Sequence, residues 1–407
     1  MKKFKAVVPM VVPIVATSMM IVAPHSQAQS GIDSIANAIK SGTHNLSFRL
    51  RHESVEQDNP LSDADATTLR SRLALKSGSV NGFTALLEVD NVSTIGSDEY
   101  DSFILDEYRG NHSIIADPVY TEINQVSLTY KIDDSQNLIA GRQRLNHAAQ
   151  RFIGGVGWRQ NEQTYDAASY TYKSDEFSVD YSYVWNVNRI FASSKPSAQR
   201  SDLDSDSHFL IGSYKPEWGT VSGYVYALDF EDVSALSSIT YGVSYAGKLG
   251  PVTLNAALAS QSDYGDATVA YDAEFYSIDA AIAAGPVTLK AGYEVLGSDD
   301  GVKAFATPLS TLHKWQGWAD LFLNTPANGI EDMFFTVSGN VSGVALAATY
   351  HDFQADTGGA DYGSEFDLIA NYKINDVVST QLKYASFDSD GFAVDTDKLW
   401  VSLMVAF

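Results

Sequence analysis

The chain has 407 residues with 50 acidic against 27 basic side chains and a formal net charge of −23, a balance that excludes nucleic acid as a natural partner. It has no cysteine, which excludes disulfide frameworks, thiolate ligands and thiol nucleophiles. Length alone would suggest two or three domains, yet no Pro/Ser-rich linker or composition break divides the chain, and one large closed unit is the simpler reading. In chain order, Lys2, Lys3 and Lys5 precede an apolar run from Ala6 to Ala23, and Ser26-Gln27-Ala28 has the small-x-small form of an export cleavage site. Pro9 and Pro13 interrupt that run and Pro24 closes it, so residues 1–28 are predicted as a cleaved signal rather than a membrane helix, for which about 18 apolar residues are a minimum. Residues 29–42 follow as an N-terminal segment. Ile32, Ile35 and Ile39 have helical spacing in it, fitting a tether or a short plug.

From Thr43 the period becomes two. Leu46, Phe48 and Leu50 alternate with Ser47, Arg49 and Arg51, and Leu69, Leu73 and Leu75 with Arg70, Arg72 and Lys76. The same pattern recurs to the end of the chain, for example at Phe177, Val179, Tyr181 and Tyr183, and at Phe366, Leu368, Ala370 and Tyr372. Alternation alone suits a soluble sandwich as well as a barrel. The connections discriminate. Short turns (Ser77 to Asn81, Asp133 to Ser135, Ser174 to Glu176, Ala284 to Pro286) alternate with long polar stretches (Ser54 to Ala66, Ser93 to Tyr120, Leu145 to Gln163, Val187 to Ser205, Gly297 to Ile330). That rhythm predicts an all-β protein, a transmembrane antiparallel β-barrel over residues 43–407 with about 18 strands, short periplasmic turns and long extracellular loops. Residues 29–42 then lie in the periplasm, and the compartment is the outer membrane of a Gram-negative bacterium. The final strand ends on Phe407 with apolar residues at alternate positions. It resembles the signal by which the barrel-assembly machinery recognises its clients.

All eleven arginines lie between Arg49 and Arg200, and four of them, Arg142, Arg144, Arg151 and Arg159, fall in the stretch Gly141 to Asp166. With the apolar residues facing lipid, Arg49, Arg51, Arg70, Arg72 and Lys76 face the lumen, Lys131 continues that wall, and Arg142 and Arg144 join it. A guanidinium holds a carboxylate through two parallel hydrogen bonds and keeps its charge, so a row of them suits an anion path. The competing reading is internal pairing, because Glu88 and Asp90 share the polar face of the adjoining strand. Both readings stand on the sequence.

Two long connections carry more glycine and aromatic residues than exposed loops need. One holds Arg151, Gly154, Gly155, Gly157, Trp158, Arg159 and then Asp166; the other holds Trp315, Trp318, Asp320, Phe322 and Pro326. They are predicted to fold inward as constriction loops, the alternative being aromatic packing on the rim. Asp202, Asp204 and Asp206, and Asp299 with Asp300, supply oxygen ligands without the terminal ligand and glycine of a calcium loop, and a solvated surface is the alternative. A secreted polysaccharide-degrading enzyme is the main rival class, with His147, His313 and paired carboxylates as nominees for proton transfer, but no spacing selects a catalytic pair, and histidines among turn residues are more often solvated than catalytic. No phosphate loop, dinucleotide fingerprint or zinc helix occurs, so neither a cofactor nor a metal is predicted.

Several stretches resemble the alginate-export family of outer-membrane porins: Thr121 to Gln125, Gly141 to Gln143, Arg151 to Asp166 with W-R-Q-N-E-Q-T-Y-D inside it, Asn188 to Phe191, Thr307 to Lys314, and Gly317-Trp318-Ala319-Asp320 on to Asp332. The resemblance covers nearly the whole mature chain. It implies an 18-stranded barrel with a basic lumen that passes anionic polysaccharide without catalysis, with outer-membrane lipid and an anionic saccharide or small anion as partners. A general diffusion porin is the alternative. The sequence departs from a uniformly cationic conduit in its acidic balance and in the confinement of arginine to the first half.

Overall fold

The computed structural model describes residues 25–104, 110–192 and 197–407, with side chains in the first helix from Asp33 onward. The predicted signal up to Ala23 lies outside these residues, and the predicted cleavage site at Ser26 to Ala28 falls within helix α1 (His25–Lys40). Eighteen strands follow. They are β1 Thr43–Gln57, β2 Ala64–Lys76, β3 Phe83–Glu99, β4 Tyr120–Lys131, β5 Gln136–Gln143, β6 Thr164–Lys173, β7 Phe177–Asn188, β8 Asp202–Tyr214 and β9 Gly219–Leu228. The second half adds β10 Ser238–Leu249, β11 Val252–Asp263, β12 Asp272–Ala284, β13 Val287–Leu296, β14 Ile330–Val341, β15 Val344–Gln354, β16 Asp361–Lys373, β17 Val378–Ser389 and β18 Thr396–Ala406.

Each strand pairs antiparallel with the next, and β18 returns to β1 in register from Ser47 opposite Ala406 to Gln57 opposite Thr396. The sheet therefore has no edge, and every strand satisfies its backbone against two neighbours, the condition for crossing hydrocarbon. Several strands run further toward the long connections than the hydrophobic pattern predicts: β1 reaches Gln57 and β3 reaches Glu99. Their last outward positions are polar (Ser54 and Glu56 in β1, Glu99 in β3), so apolar alternation stops where the wall leaves lipid while pairing continues. The hairpin at Ser342 and Gly343 is absent from the predicted turns. Both residues have positive φ, 52° and 86°, as a two-residue turn matched to strand twist demands, and only the glycine meets that demand without cost.

Large apolar side chains stand exposed on the outward positions, Leu73, Leu87, Val126, Leu128, Phe335 and Leu368 among them, while Arg49, Arg51, Arg70, Glu88 and Asp90 are buried on the inward ones. Oily outside and charged inside is the reverse of a soluble sandwich. Near the short turns the outer face carries stacked aromatic pairs, Phe83 with Tyr130 at 4.6 Å, Phe177 with Tyr214 at 4.8 Å and Trp218 with Tyr245 at 5.7 Å between centroids. Rings at this level suit the boundary between hydrocarbon and headgroups.

The lumen itself has a core. Leu145, Phe152 and Ile153 from residues 144–163, and Leu309, Ala319 and Phe322 from residues 297–329, join Phe209, Tyr226, Phe275, Phe353, Phe387 and Trp400 of the inner wall in one buried cluster. Helix α1 sits at the short-turn end, where the Gly78 amide donates to the Ala38 carbonyl at 2.8 Å and Ala38 is buried.

Candidate functional site

In β1 and β2 the register sets Arg49 opposite Arg70 and Arg51 opposite Thr68, with Arg72 one inward position nearer the short turns. Four guanidiniums thus climb one patch of wall in steps of about 6.6 Å, two residues of strand rise. Like charges at that spacing persist only with partners. Arg72 grips Asp90 on β3 with two bonds of 2.7 and 2.6 Å and reaches Glu162 at 2.6 Å. Arg51 lies 3.6 Å from Asp117. Among the described ion pairs Arg70 has only Glu162, at 3.9 Å, and its Nε and Nη1 make no hydrogen bond with described residues. Arg49 has no carboxylate partner among the described ion pairs; it donates to Gln160 at 2.8 Å and to the carbonyls of Gly157 and Arg159.

Those last contacts come from residues 144–163, which fold into the barrel. Arg159 donates to both oxygens of Glu53 on β1 at 2.9 Å and approaches Asp320 at 3.3 Å. Asp320 belongs to residues 297–329, which also fold inward, and Lys398 of β18 stands 3.7 Å from it. The two inward segments clasp each other: Gly154 N donates to Leu309 O at 2.8 Å, Thr311 N to Gln150 O at 3.1 Å, and the Trp158 ring stacks on His313 at 3.3 Å between centroids. His313 is held at both nitrogens, with Nδ1 2.8 Å from Asp320 and Nε2 2.5 Å from Lys383 on β17. Gly317 lets the second segment approach the wall, since a Cβ there would lie 2.3 Å from Glu365 and its φ is 78°. Glu365 in turn accepts the amides of Trp318 and Ala319.

The clasp sets proton affinities in the segments. Burial pushes the Glu162 carboxyl up, but the guanidiniums of Arg72 and Arg144 outweigh it and hold the group at about 2. Burial likewise opposes ionisation of Asp320, and His313, Lys398 and Arg159 overcome it, keeping it well below the usual carboxylate range. Burial lowers His313 far below an ordinary imidazole, with Asp320 opposing and Lys383 adding to the effect, and burial lowers His147 with Asp180 opposing.

Two cavities flank the clasp. One of about 440 Å³ is lined by Arg144, Lys314, Lys383, Glu162, Trp158 and Trp318 together with backbone and small polar groups. The other, about 510 Å³, lies against the opposite wall and is lined by Glu294, Asp332, Asp367, Asp279, His351, Arg151 and Lys290 among others. Lys314 and Trp318 border both. The first cavity sets three cations against Glu162, while in the second Asp279, Glu294, Asp332 and Asp367 face Arg151, Lys290 and Lys314. The volumes are in the range of about 300–1,000 Å³ of small-molecule sites.

The predicted residues distribute unevenly over this arrangement. Arg49, Arg51, Arg70, Arg72, Glu88, Asp90 and Arg144 come together in one network, with Arg144 on Glu88 and Glu162. Arg151 sits at Glu294, 2.9 Å away, with its guanidinium 5.2 Å from the Trp315 ring. Lys76 is exposed at the short-turn rim, and Lys131, also exposed there, is paired with Asp134 at 2.5 Å, so neither extends the ladder. Arg142 is a correction. It pairs in register with Val126, an outward residue 48% exposed, and bonds Asp166 at 2.8 and 3.1 Å on the outer face. It keeps the outward parity of Leu138 to the end of β5, whereas Arg144 lies beyond the strand and is free to turn inward. Asp166 belongs to β6, not to a constriction loop, for the same reason. His147 and His313, expected among solvated turn residues, are buried because their segments fold inward. Asp202, Asp204 and Asp206 lie along one face of β8, and among the described residues no acidic or histidine group is arranged to hold a metal. Sequence reasoning passed over Glu53, Asp117, Gln160, Glu162, Lys383 and Lys398; the W-R-Q-N-E-Q stretch was the signal for two of them.

No protein-family model matches the sequence, and no curated protein matches it. Solved structures do resemble it. OccK9 (OpdG) of Pseudomonas aeruginosa superimposes with a TM-score of 0.70 at 17% identity over 91% of this chain and 100% of its own. OccAB4 of Acinetobacter baumannii gives 0.68 at 14% over 91% and 100%, and Pseudomonas aeruginosa OpdK, solved with vanillate, gives 0.69 at 14% over 91% and 99%. These proteins carry Occ and Opd names, and the resemblance to the alginate-export family rests on the sequence stretches alone. At such identities the likeness is one of fold, and the fold is a closed eighteen-stranded antiparallel barrel of the outer-membrane type.

Proposed function

We propose that this chain is a porin of the Gram-negative outer membrane that passes small anionic solutes, carboxylates above all, by passive diffusion along the cationic side of a loop-narrowed lumen, with no bond chemistry and no cofactor. One observation carries the reading. In a protein of net charge −23, the cavity beside the clasp is bordered by Arg144, Lys314 and Lys383 against Glu162 alone. Arg49, Arg51, Arg70 and Arg72 lie behind it on the same wall, and their pairing with acids keeps any single grip on an anion weak enough for release. Vanillate, a small carboxylate, is the solute in OpdK, and a solute of that class suits this cavity.

An acidic oligosaccharide threaded end-on is the second reading, favoured by the Trp158 and Trp318 faces in the same cavity, which offer flat apolar surfaces to sugar rings. Residues 1–28 serve export in this account, and the strand ending at Phe407 serves recognition by the barrel-assembly machinery. Outer-membrane lipid is the permanent partner of the wall.

The test is the reversal potential of the purified protein in a planar bilayer under a salt gradient. Anion preference is expected, with current block on adding vanillate or oligouronate. Replacing Arg144 and Lys383 by Gln together should lower the anion-to-cation permeability ratio by roughly an order of magnitude, as removal of two charges from a narrow pore implies. Cation preference in the unaltered protein would refute the reading.

A further inference from the structure

Of the three cations that border the cavity beside the clasp, Lys383 alone stands on a strand. In the ladder between β16 and β17, Lys383 pairs with Ile369 and Ala385 with Asp367, so Lys383 and Asp367 are diagonal neighbours on the inner face. Such neighbours lie about 7–8 Å apart, within reach of a long side chain. Asp367 is fully buried, and neither of its oxygens makes a hydrogen bond with a described residue. A buried carboxylate so placed should draw the ammonium to itself. Among the described ion pairs, however, Asp367 meets only His351, at 3.8 Å. The Lys383 ammonium lies instead 2.5 Å from His313 Nε2 and 3.8 Å from the centre of the Trp318 ring, with the Trp400 and Trp158 rings at 5.4 and 5.7 Å.

The hydrogen bonds of His313 account for the diversion. Its Nδ1 lies 2.8 Å from Asp320 Oδ1, and a carboxylate that is also met by Arg159 and Lys398 is an acceptor, so Nδ1 carries the proton and donates it. Nε2 is left with its lone pair and accepts from Lys383. The Trp158 ring, stacked at 3.3 Å, fixes the plane of the imidazole. We propose that His313 is a positioning residue for Lys383: oriented by Asp320 and Trp158, it draws the ammonium away from Asp367 and holds it over Trp318 at the cavity. The proposal rests on the anion-porin reading above and adds a condition to it. His313 belongs to residues 297–329, so Lys383 is presented to a solute only while that segment is docked. Without His313 the ammonium closes on a carboxylate of the wall and is lost to passing anions.

Reversal potentials of the full chain in a planar bilayer under a potassium chloride gradient at pH 7.5 test this. His313→Phe keeps a ring against Trp158 and loses both polar contacts. It should lower the anion-to-cation permeability ratio by roughly threefold, half on a logarithmic scale of the tenfold effect of removing two charges. In a Lys383→Gln background the same substitution should change the ratio no further, because the loss runs through Lys383. His313→Gln, whose amide donates to Asp320 and accepts from Lys383, should keep the ratio of the unaltered protein. An unchanged ratio in His313→Phe would overturn the proposal. So would a loss that persists in the Lys383→Gln background, which is what simple undocking of the segment produces. Cation preference in the unaltered protein would instead sink the anion-porin reading itself, so the two failures are told apart in one set of traces.

Discussion

Glu162 is the residue on which the cationic wall turns. It touches Arg72 and Arg144 and, among the described ion pairs, is the acid that meets Arg70. Removing one member of such a buried set leaves the others charged and unpaired, which costs roughly 3–5 kcal/mol. Glu162→Gln is therefore expected to leave the barrel folded, because the sheet does not depend on it, while loosening residues 144–163. Limited proteolysis of the reconstituted protein should cut that segment several times faster. A cutting rate equal to that of the unaltered protein would show that the apolar contacts of Phe152 and Ile153 hold the segment unaided. The same residue illustrates a limit of reading the sequence. Its neighbours Trp158 and Arg159 stood out by type, but a glutamate in a long loop gave no sign that Arg144 nearby and Arg70 and Arg72, about ninety positions away, would converge on it.

At the scale of the element, the two inward segments are one unit in two pieces, joined by the Trp158–His313 stack and the Gly154–Leu309 bond. Deleting Leu312 to Pro326 removes half of that unit and should raise single-channel conductance severalfold; an unchanged conductance would mean that residues 144–163 alone set the narrowest point. The segments also carry a dependence on pH. His313 and His147 have lowered proton affinity when docked, so below an ordinary imidazole value of about 6.5 the undocked state binds protons that the docked state refuses, and docking weakens as pH falls. Glu162 acts in the same direction lower down: its contribution is complete above about 4.5 and is lost as pH falls toward about 2. Conductance traces should show more frequent open-state fluctuations at pH 5 than at pH 7.5, and His313→Gln should flatten that difference. The inward folding of these segments was legible in their glycines and tryptophans, while their mutual clasp was not, because no pattern in either stretch names the other.

Across the whole molecule, the confinement of arginine to the first half acquires a physical reason. Strands β1 to β6 and residues 144–163 build one side of the lumen, and the second half answers with carboxylates at Asp320, Glu294, Asp332, Glu365 and Asp367. Closure of β18 on β1 brings Lys398 and Ser402 to that same cationic side. The arginines of that side meet Glu53, Glu88, Asp90, Asp117 and Glu162 of the same half, and Arg159 reaches Asp320 of the other.

The sequence by itself determined the barrel. Period-two alternation with apolar residues outward, and short turns alternating with long connections, follow from the need of each strand to face lipid on one side and water or protein on the other, and that need is written residue by residue. It also determined which side chains of β1, β2 and β3 point inward, because parity within a strand is local. Only the tertiary structure decided that Arg142 turns to the outer face with Asp166 while Arg144, two residues later, turns in. It alone decided which acid meets which arginine, and that Lys383 of β17 meets His313 of a loop seventy residues earlier in the chain. These depend on where strands end and on how two loops fill a shared space, and both are settled by packing among parts of the chain that no local pattern relates.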